Sequence, residues 1–380
     1  MLRGGSLKNV SVDLCDNPVS AGSDLIFDDL ETGDFRSIGL DNFDRLSRGD
    51  GQIAELLGLE NVSAIDDLLH SALLKPVEGL VCQRGKGIRG QLVGLGYRLF
   101  SQSPPSLHAA KQCRSCAEVV ELIHAGSLII DDIEDGSRMR RGHPALHVQY
   151  GMPLALNAGN WLYFFPFQLL RQTQLANDKI LYLYEHCHQT LLRAHFGQAI
   201  DLGADIATVM QARVSAACFA SIKLKTGALM AFALVMGGVI AGASEKLLSV
   251  LHDFGIDLGV ALQMFDDLGN LTGKCEPAKK YEDLILSRPS WIWAHAAETT
   301  TPEEYRRFVA AVGRLPNERA LEIWMEEHDL VQRARSGAHF YLDSAFERLE
   351  ERLGKERVRW SSRALDKLRE LGQEIASAYE

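Results

Sequence analysis

From about Asn61 to its end the chain is written mainly in leucine and alanine, with apolar residues recurring at i, i+3 and i+4 and little alternation of β-branched residues. Strand side chains change face at every residue, so this period does not suit a sheet and confines the chain to packed helices. Punctuation falls at Pro104-Pro105, Gly151-Met152-Pro153, Asn177-Asp178, the 273–281 loop and Thr301-Pro302. It divides the text into about a dozen helices with no convincing strand. The expected fold is all-α, a large helical bundle over residues 56–380. Residues 1–55 are acidic, rich in Gly, Ser and Asp, and without sustained period. They are expected to be a mostly disordered leader or a loosely docked arm.

Composition narrows the function. A net charge of −10 with no basic face argues against a nucleic-acid partner. The first residues hold no apolar core of a secretory signal, and seven cysteines, an odd number, fit a reducing compartment, so a cytoplasmic location is expected. Cys113 and Cys116 form a single CxxC at helical spacing and read as packing residues rather than zinc ligands. Two uncharged runs, Thr226 to Ser244 and Val148 to Leu170, are long enough to raise a membrane. Glycine in the first and proline and asparagine in the second make both better buried helices, and no transmembrane segment is expected.

Chemistry concentrates in ELIHAGSLIIDDIEDGSRMRRG, Glu121 to Gly142. On a helix, i, i+1 and i+4 fall within roughly 100° of arc, so Asp131, Asp132 and Asp135 share a face. Three carboxylates so placed repel one another unless cations lie between them. Oxygen ligands without cysteine or clustered histidine suit Mg²⁺, which completes its shell with waters and substrate phosphates. Arg138, Arg140 and Arg141 follow, and planar guanidinium forks suit phosphate oxygens. A solvated acidic helix end is the plainer reading of one such stretch, but such ends seldom follow a run as apolar as Leu122 to Ile130.

Four other places carry similar residues. Lys86 and Arg89 sit one helical turn apart after a glycine-rich opening. Gln198 and Asp201 sit one turn apart on a long helix, where a capped or exposed polar face is the plainer reading of the pair alone. Lys225-Thr226 is expected to start the apolar glycine-rich helix. Gln263 to Asn270, QMFDDLGN, repeats the first geometry with Asp266, Asp267 and Asn270, and Lys274, Lys279 and Lys280 follow it. Two acid-ended helices facing each other across a bundle would hold a magnesium cluster, and the cluster a diphosphate.

With DDIED followed by RMRRG, then GQAID, LKTG and DDLGN in that order, the chain resembles trans-isoprenyl diphosphate synthases from about Asn61 to Glu351, most nearly the geranylgeranyl diphosphate synthases. The resemblance implies roles. Asp131, Asp132 and Asp135, with Asp266 and Asp267 opposite, would bind Mg²⁺. Arg140, Lys225, Thr226 and Gln263 would hold an allylic diphosphate, and Lys86, Arg89, His124 and Arg141 would hold isopentenyl diphosphate. A homodimer with a separate site in each subunit is implied too. The reaction would be ionisation of the allylic diphosphate, attack by the isopentenyl double bond and loss of a proton. Two departures stand out: Asn270 replaces a customary aspartate, and Arg288 stands where a Gly-Lys pair is customary. A terpene cyclase would not need Lys86, Arg89 and Arg141, and a non-catalytic regulatory partner would be expected to have lost first-motif aspartates or the arginine pair. Product length is expected to follow the helix before Asp131. Gly126 and Ser127 are small and would let the tail pass towards Trp161, Tyr163, Phe164 or Phe165, giving a C20 product.

Overall fold

The computed structural model describes Gly58 and residues 63–81, 87–101, 106–274, 279–356 and 359–379. The expected leader and Lys86 lie outside the described residues. Helix α1 covers residues 63–81, with a π turn at His70–Leu74. Then come α2 (Ile88–Phe100), α3 (Leu107–Glu134), α4 (Leu146–Tyr150), α5 (Met152–Gln172), α6 (Asn177–Gly203) and α7 (Gln211–Ala241). After them run α8 (Glu245–Thr272), α9 (Glu282–Ile285), α10 (Trp291–Thr299), α11 (Pro302–Val312), α12 (Arg319–Glu327), α13 (Leu330–Lys355) and α14 (Ser362–Ser377). The all-α expectation holds with one small correction. Met139–Arg140 and His143–Pro144 pair as a two-residue antiparallel ladder, too short to leave a period in the sequence.

The second half of α7 is the axis of the bundle. Every residue from Ala228 to Ile240 is buried, and this segment packs against α2, α3, α6 and α8. Gly237 makes the α2 contact possible: a Cβ there would overlap the backbone of Val93 and Tyr97. Helices α7 and α8 are long and apolar enough to cross a membrane, yet 83% and 67% of their most apolar windows lie inside the bundle. Their hydrophobicity is used on neighbouring helices.

Local signals fix the ends. The Ser106 hydroxyl accepts from Ala109 N at 3.1 Å to start α3. Thr301 and Glu304 form a reciprocal capping box at α11, with Pro302 in the first turn. Gly242 and Gly273, both at positive φ, close α7 and α8. Cys113 and Cys116 are buried free thiols in α3, as the packing reading expects.

One expectation about α3 fails. Gly126 does not face a channel: it is buried where α3 crosses α5, and a Cβ on it would come 2.9 Å from Leu162 Cβ and 3.0 Å from Gly159 O. Its smallness serves helix–helix contact. Ser127 is half-buried, with its hydroxyl donating to His124 O at 2.8 Å.

Candidate active site

Five pieces of backbone meet at one mouth of the bundle: the C-terminal turns of α3, α6 and α8, the middle of α7, and the 281–290 turn. The middle of α7 is where Lys225 and Thr226 sit. They do not start the apolar helix, as the sequence suggested, but lie in a π turn, Lys223–Gly227, inside a continuous one. A π turn widens the helix and turns side chains out of the regular order, which is why it recurs at functional sites. Gly197 lets α6 approach this turn, since a Cβ there would overlap the backbone at Lys225.

Cations and carboxylates interleave on the α3 side. Lys225 Nζ lies 3.0 Å from Asp131 Oδ1 and 2.8 Å from Asp201 Oδ2. Arg140 forks onto Asp132, with Nε 2.9 Å from Oδ1. Arg288 Nη2 lies 2.5 Å from Asp135 Oδ1, and its Nη1 3.5 Å from Asp201 Oδ2. Gln198 Nε2 donates to Asp131 Oδ1 at 3.1 Å and to Glu134 Oε2 at 2.6 Å. Burial pushes the Asp131 pKa up, but Lys225, Gln198 and Arg140 outweigh it and hold this carboxyl below the ordinary range. Asp135 is raised to about 6, by burial first and then by Asp131, despite Arg288.

On the α8 side a chain of hydrogen bonds runs from α7 through α8 to α10. Thr226 Oγ1 donates to Gln263 Oε1 at 2.9 Å, and Gln263 Nε2 donates to Asp267 Oδ1 at 2.9 Å. The buried Asp267 also accepts from Trp291 N at 2.6 Å, so it caps the start of α10. Asn270 Nδ2 donates to Lys279 O at 2.9 Å, and its Oδ1 accepts from Asp283 N at 3.4 Å, so the side chain pins the following loop. Asp266 is exposed. Asp283, absent from the sequence-derived set, is pushed to about 7 by burial and then by the negative charges of Asp266 and Asp201.

Three arginines surround His124. Burial, and then Arg89, Arg141 and Arg140, push its pKa well below the ordinary imidazole value, which keeps the ring neutral. Arg141 and Gly142 form the tight turn between the two short strands, both at positive φ, 51° and 79°. This suits a two-residue hairpin loop and presents the arginines beside α3. Arg89, just inside α2 behind the left-handed Gly87, lies within electrostatic reach of Glu121, Arg141 and Asp266. Its Nε is sealed from solvent and has no hydrogen-bond partner among the described residues. A sealed guanidinium donor without an acceptor is costly, and an incoming anion would satisfy it.

The described residues therefore bring together every sequence-derived site residue except Lys86, Gly126 and, of the aromatic set, Trp161, Phe164 and Phe165. Phe164 points outward at 72% exposure, and Tyr163 packs its edge on His195 near Glu134 and Asp131. Trp161 and Phe165 stack at 4.5 Å and remain the pair that could floor a channel. In the sequence a polar face is the plainer reading of Gln198 and Asp201, and Arg288 stands only as a departure from pattern. Their GQxxD spacing was the available signal, whereas Asp283 left none.

The donor set is all oxygen. Among the described residues no three Asp, Glu, His or Cys converge on one point as a ready-made cage. An all-oxygen set is of the kind Mg²⁺ uses, taking one or two carboxylates and filling its octahedron with waters and phosphate oxygens. Asp131, Asp135 and Asp266 keep part of their carboxylates open at the mouth and could serve, whereas Asp132 and Asp267 are almost wholly buried, against Arg140 and at the α10 cap.

Comparison with known proteins places the chain in a family. The family model for polyprenyl synthetase matches residues 70–326. A geranylgeranyl diphosphate synthase of Sulfolobus acidocaldarius is 27% identical, covering 67% of this chain and 78% of its own. A geranylfarnesyl diphosphate synthase of Aeropyrum pernix is also 27% identical, covering 76% and 88%. The crystal structure of a geranylgeranyl pyrophosphate synthetase from Pyrococcus horikoshii superposes with a TM-score of 0.67 at 24% identity, over 88% of this chain and 97% of the other. With more than half its length matched by the family model, the chain belongs to the polyprenyl synthetase family of isoprenyl diphosphate synthases.

Proposed function

We propose that this enzyme condenses isopentenyl diphosphate with an allylic diphosphate in a Mg²⁺-dependent reaction that yields a linear all-trans C20 product, geranylgeranyl diphosphate. The observation that carries the two-substrate reading is Arg89. Its Nε, sealed and without a hydrogen-bond partner among the described residues, lies beside His124 and Arg141 and supports a second anion site, which a cyclase acting on one diphosphate does not need.

In the reaction, Lys225 and Arg140 bind and orient the allylic diphosphate, and their charge favours its departure. At an effective dielectric of about 20, each cation about 4 Å from a phosphate oxygen contributes up to about 4 kcal/mol before desolvation. Bound Mg²⁺, held by Asp131 and Asp135 on one side and Asp266 on the other, would supply Lewis-acid stabilisation of the same leaving group. Arg89, Arg141 and the neutral His124 hold isopentenyl diphosphate with its double bond towards the allylic carbon. The apolar wall of α3 and α5 excludes water from the carbocation. Thr226 and Gln263 act at one remove, by fixing Asp267 and the turn of α8 that bears Asp266. The test of the two sites is kinetic. Arg141→Ala should raise KM for isopentenyl diphosphate more than KM for the primer, and equal effects on both would undo the assignment.

Product length rests on the same wall. No aromatic ring stands on α3 in the turn before Asp131, where Ser127 and Leu128 are half-buried. Each further C5 unit gains about 4 kcal/mol by burial at ~0.8 per carbon, so growth continues until something bulky stops it. The stacked Trp161 and Phe165 supply that floor. Ser127→Phe should shorten the dephosphorylated product towards C15, and Trp161→Ala or Phe165→Ala should lengthen it towards C25.

A homodimer is part of the proposal. Met152, Leu156 and Phe164 recur every four or eight residues along α5, and Leu181, Leu192 and Phe196 line the exposed side of α6. Tyr163 on His195 brings the two helices side by side, which makes a contiguous apolar face of the kind that marks an interface. Sedimentation should give twice the 42.0 kDa chain mass. Phe164→Glu with Phe196→Glu should reduce it to one chain.

A further inference from the structure

Arg288 stands on a turn that the backbone is strained to make. Ser287 before it has φ 51°, a left-handed conformation that costs a non-glycine residue roughly 1 kcal/mol or more. Three hydrogen bonds hold it there. Ser287 N donates to Leu284 O at 3.1 Å, Arg288 N to Asp283 O at 2.8 Å, and Ile206 N, just past α6, to Ser287 O at 3.1 Å. The strained turn aims the guanidinium back into the mouth, where it is 13% exposed.

There it completes an unbroken row of alternating charge: Asp131, Lys225, Asp201, Arg288, Asp135. The row ties α3 to α6 and α7, and its members are mostly shielded from solvent, so salt screens it less than surface pairs. Arginine suits the last link because its planar fork offers separate donors, Nη2 to Asp135 and Nη1 to Asp201. The row has a consequence for what can enter. A divalent cation reaching Asp135 meets Arg288 already in place. A diphosphate reaching Arg288 must strip it from two carboxylates. When both arrive together, each takes the other's former partner and every charge remains paired.

We propose that Arg288 is a latch that closes Asp135 on α3 to Asp201 on α6 in the ligand-free enzyme, and that it opens only when a divalent cation and a diphosphate enter together. The two ligands then bind interdependently, each strengthening the other by the same factor. The latch rests on the reading of this mouth as a metal-and-diphosphate site. It adds to that reading a positioning role for Arg288 in the empty enzyme, through the carboxylates it occupies.

The experiment uses the full chain, with MgCl₂ and inorganic pyrophosphate as probes. Calorimetry with MgCl₂ alone should show weak binding to the wild type and about tenfold tighter binding to Arg288→Gln, because the competing charge is gone. The wild type should be stabilised against melting by the two probes together far more than by the sum of their separate shifts, and this excess should shrink in the variant. Arg288→Lys, which keeps the charge but not the fork, should show a smaller gain in Mg²⁺ affinity of about threefold, and it decides the matter if the glutamine variant does not fold. A cation that merely stands near these carboxylates would also raise binding of Mg²⁺ alone on substitution but would leave the joint excess intact, so an undiminished excess in the variant, or an unmoved Mg²⁺ affinity, overturns the latch. Prenyl transfer by the wild type, run on the same preparation, separates the two ideas. Product formed with Mg²⁺ affinity unmoved by substitution keeps the function and removes the latch. No product, with affinity raised and the joint excess diminished by substitution, keeps the latch and removes the function.

Discussion

The ends of α3 and α8 carry the same spacing of oxygens and use it in opposite ways. Asp131, Asp132 and Asp135 each face a cation: Lys225, Arg140 and Arg288 in turn. At the end of α8, Asp267 is sealed against Gln263 and the backbone of Trp291, and Asn270 is taken up by the 279–283 loop. Only Asp266 of that trio is exposed. The i, i+1, i+4 pattern places three oxygens on one arc, but the arc's surroundings decide whether they are exchangeable charge or scaffold. The α3 end holds charges that a metal and a diphosphate can repartner. The α8 end holds one accessible carboxylate in place.

The strongest way to break this comparison is to remove carboxylates from the two ends in parallel. Asp131→Ala or Asp135→Ala should lower turnover by at least about a thousandfold, since on the proposed function each would delete a metal ligand used in ionisation. Steady-state kinetics on folded protein checks it, and a loss under tenfold would remove the α3 end from the chemistry. Asp267→Ala should act on stability instead. It leaves Trp291 N–H and the Gln263 amide without their acceptor, which costs about 2–3 kcal/mol in chemical denaturation. Its turnover at a temperature where it remains folded should fall far less than that of Asp131→Ala. Intact stability with thousandfold-lower turnover would make Asp267 a ligand after all.

Asn270 sharpens the contrast with a smaller effect. Asn270→Ala should cost about 1 kcal/mol through the lost loop bonds and leave turnover within a few-fold. Asn270→Asp, which restores the customary residue, should be less stable than the alanine variant. A carboxylate there would face Lys279 O with no proton to donate. Higher turnover in the aspartate variant would show that this position belongs to the metal site.

Much of this was legible in the sequence because helical period and helix caps are local. The buried run at Ala228–Ile240, the break at Thr301-Pro302 and the acid-ended helices at Asp131 and Asp266 all lie where the residues suggest. What was not legible depended on contacts between distant segments. Gly126 reads as empty space until α5 is laid across it, with Leu162 and Gly159 filling that space. The π turn that displaces Lys225 from a helix start arises inside an uninterrupted helical pattern. Asp283 has no motif, and its raised pKa comes first from burial and then from Asp266 and Asp201, which lie on other helices. Asn270 resembles a weak ligand until Lys279 and Asp283 are seen to occupy both ends of its amide.

The most direct measurement is incubation of the purified chain with Mg²⁺ and an allylic diphosphate, with and without isopentenyl diphosphate, the products being dephosphorylated and separated by chromatography. The account predicts a longer linear prenyl alcohol only when both substrates are present, and none once a chelator removes the Mg²⁺. Consumption of the allylic diphosphate alone with release of a hydrocarbon, or extension unaffected by the chelator, would contradict it.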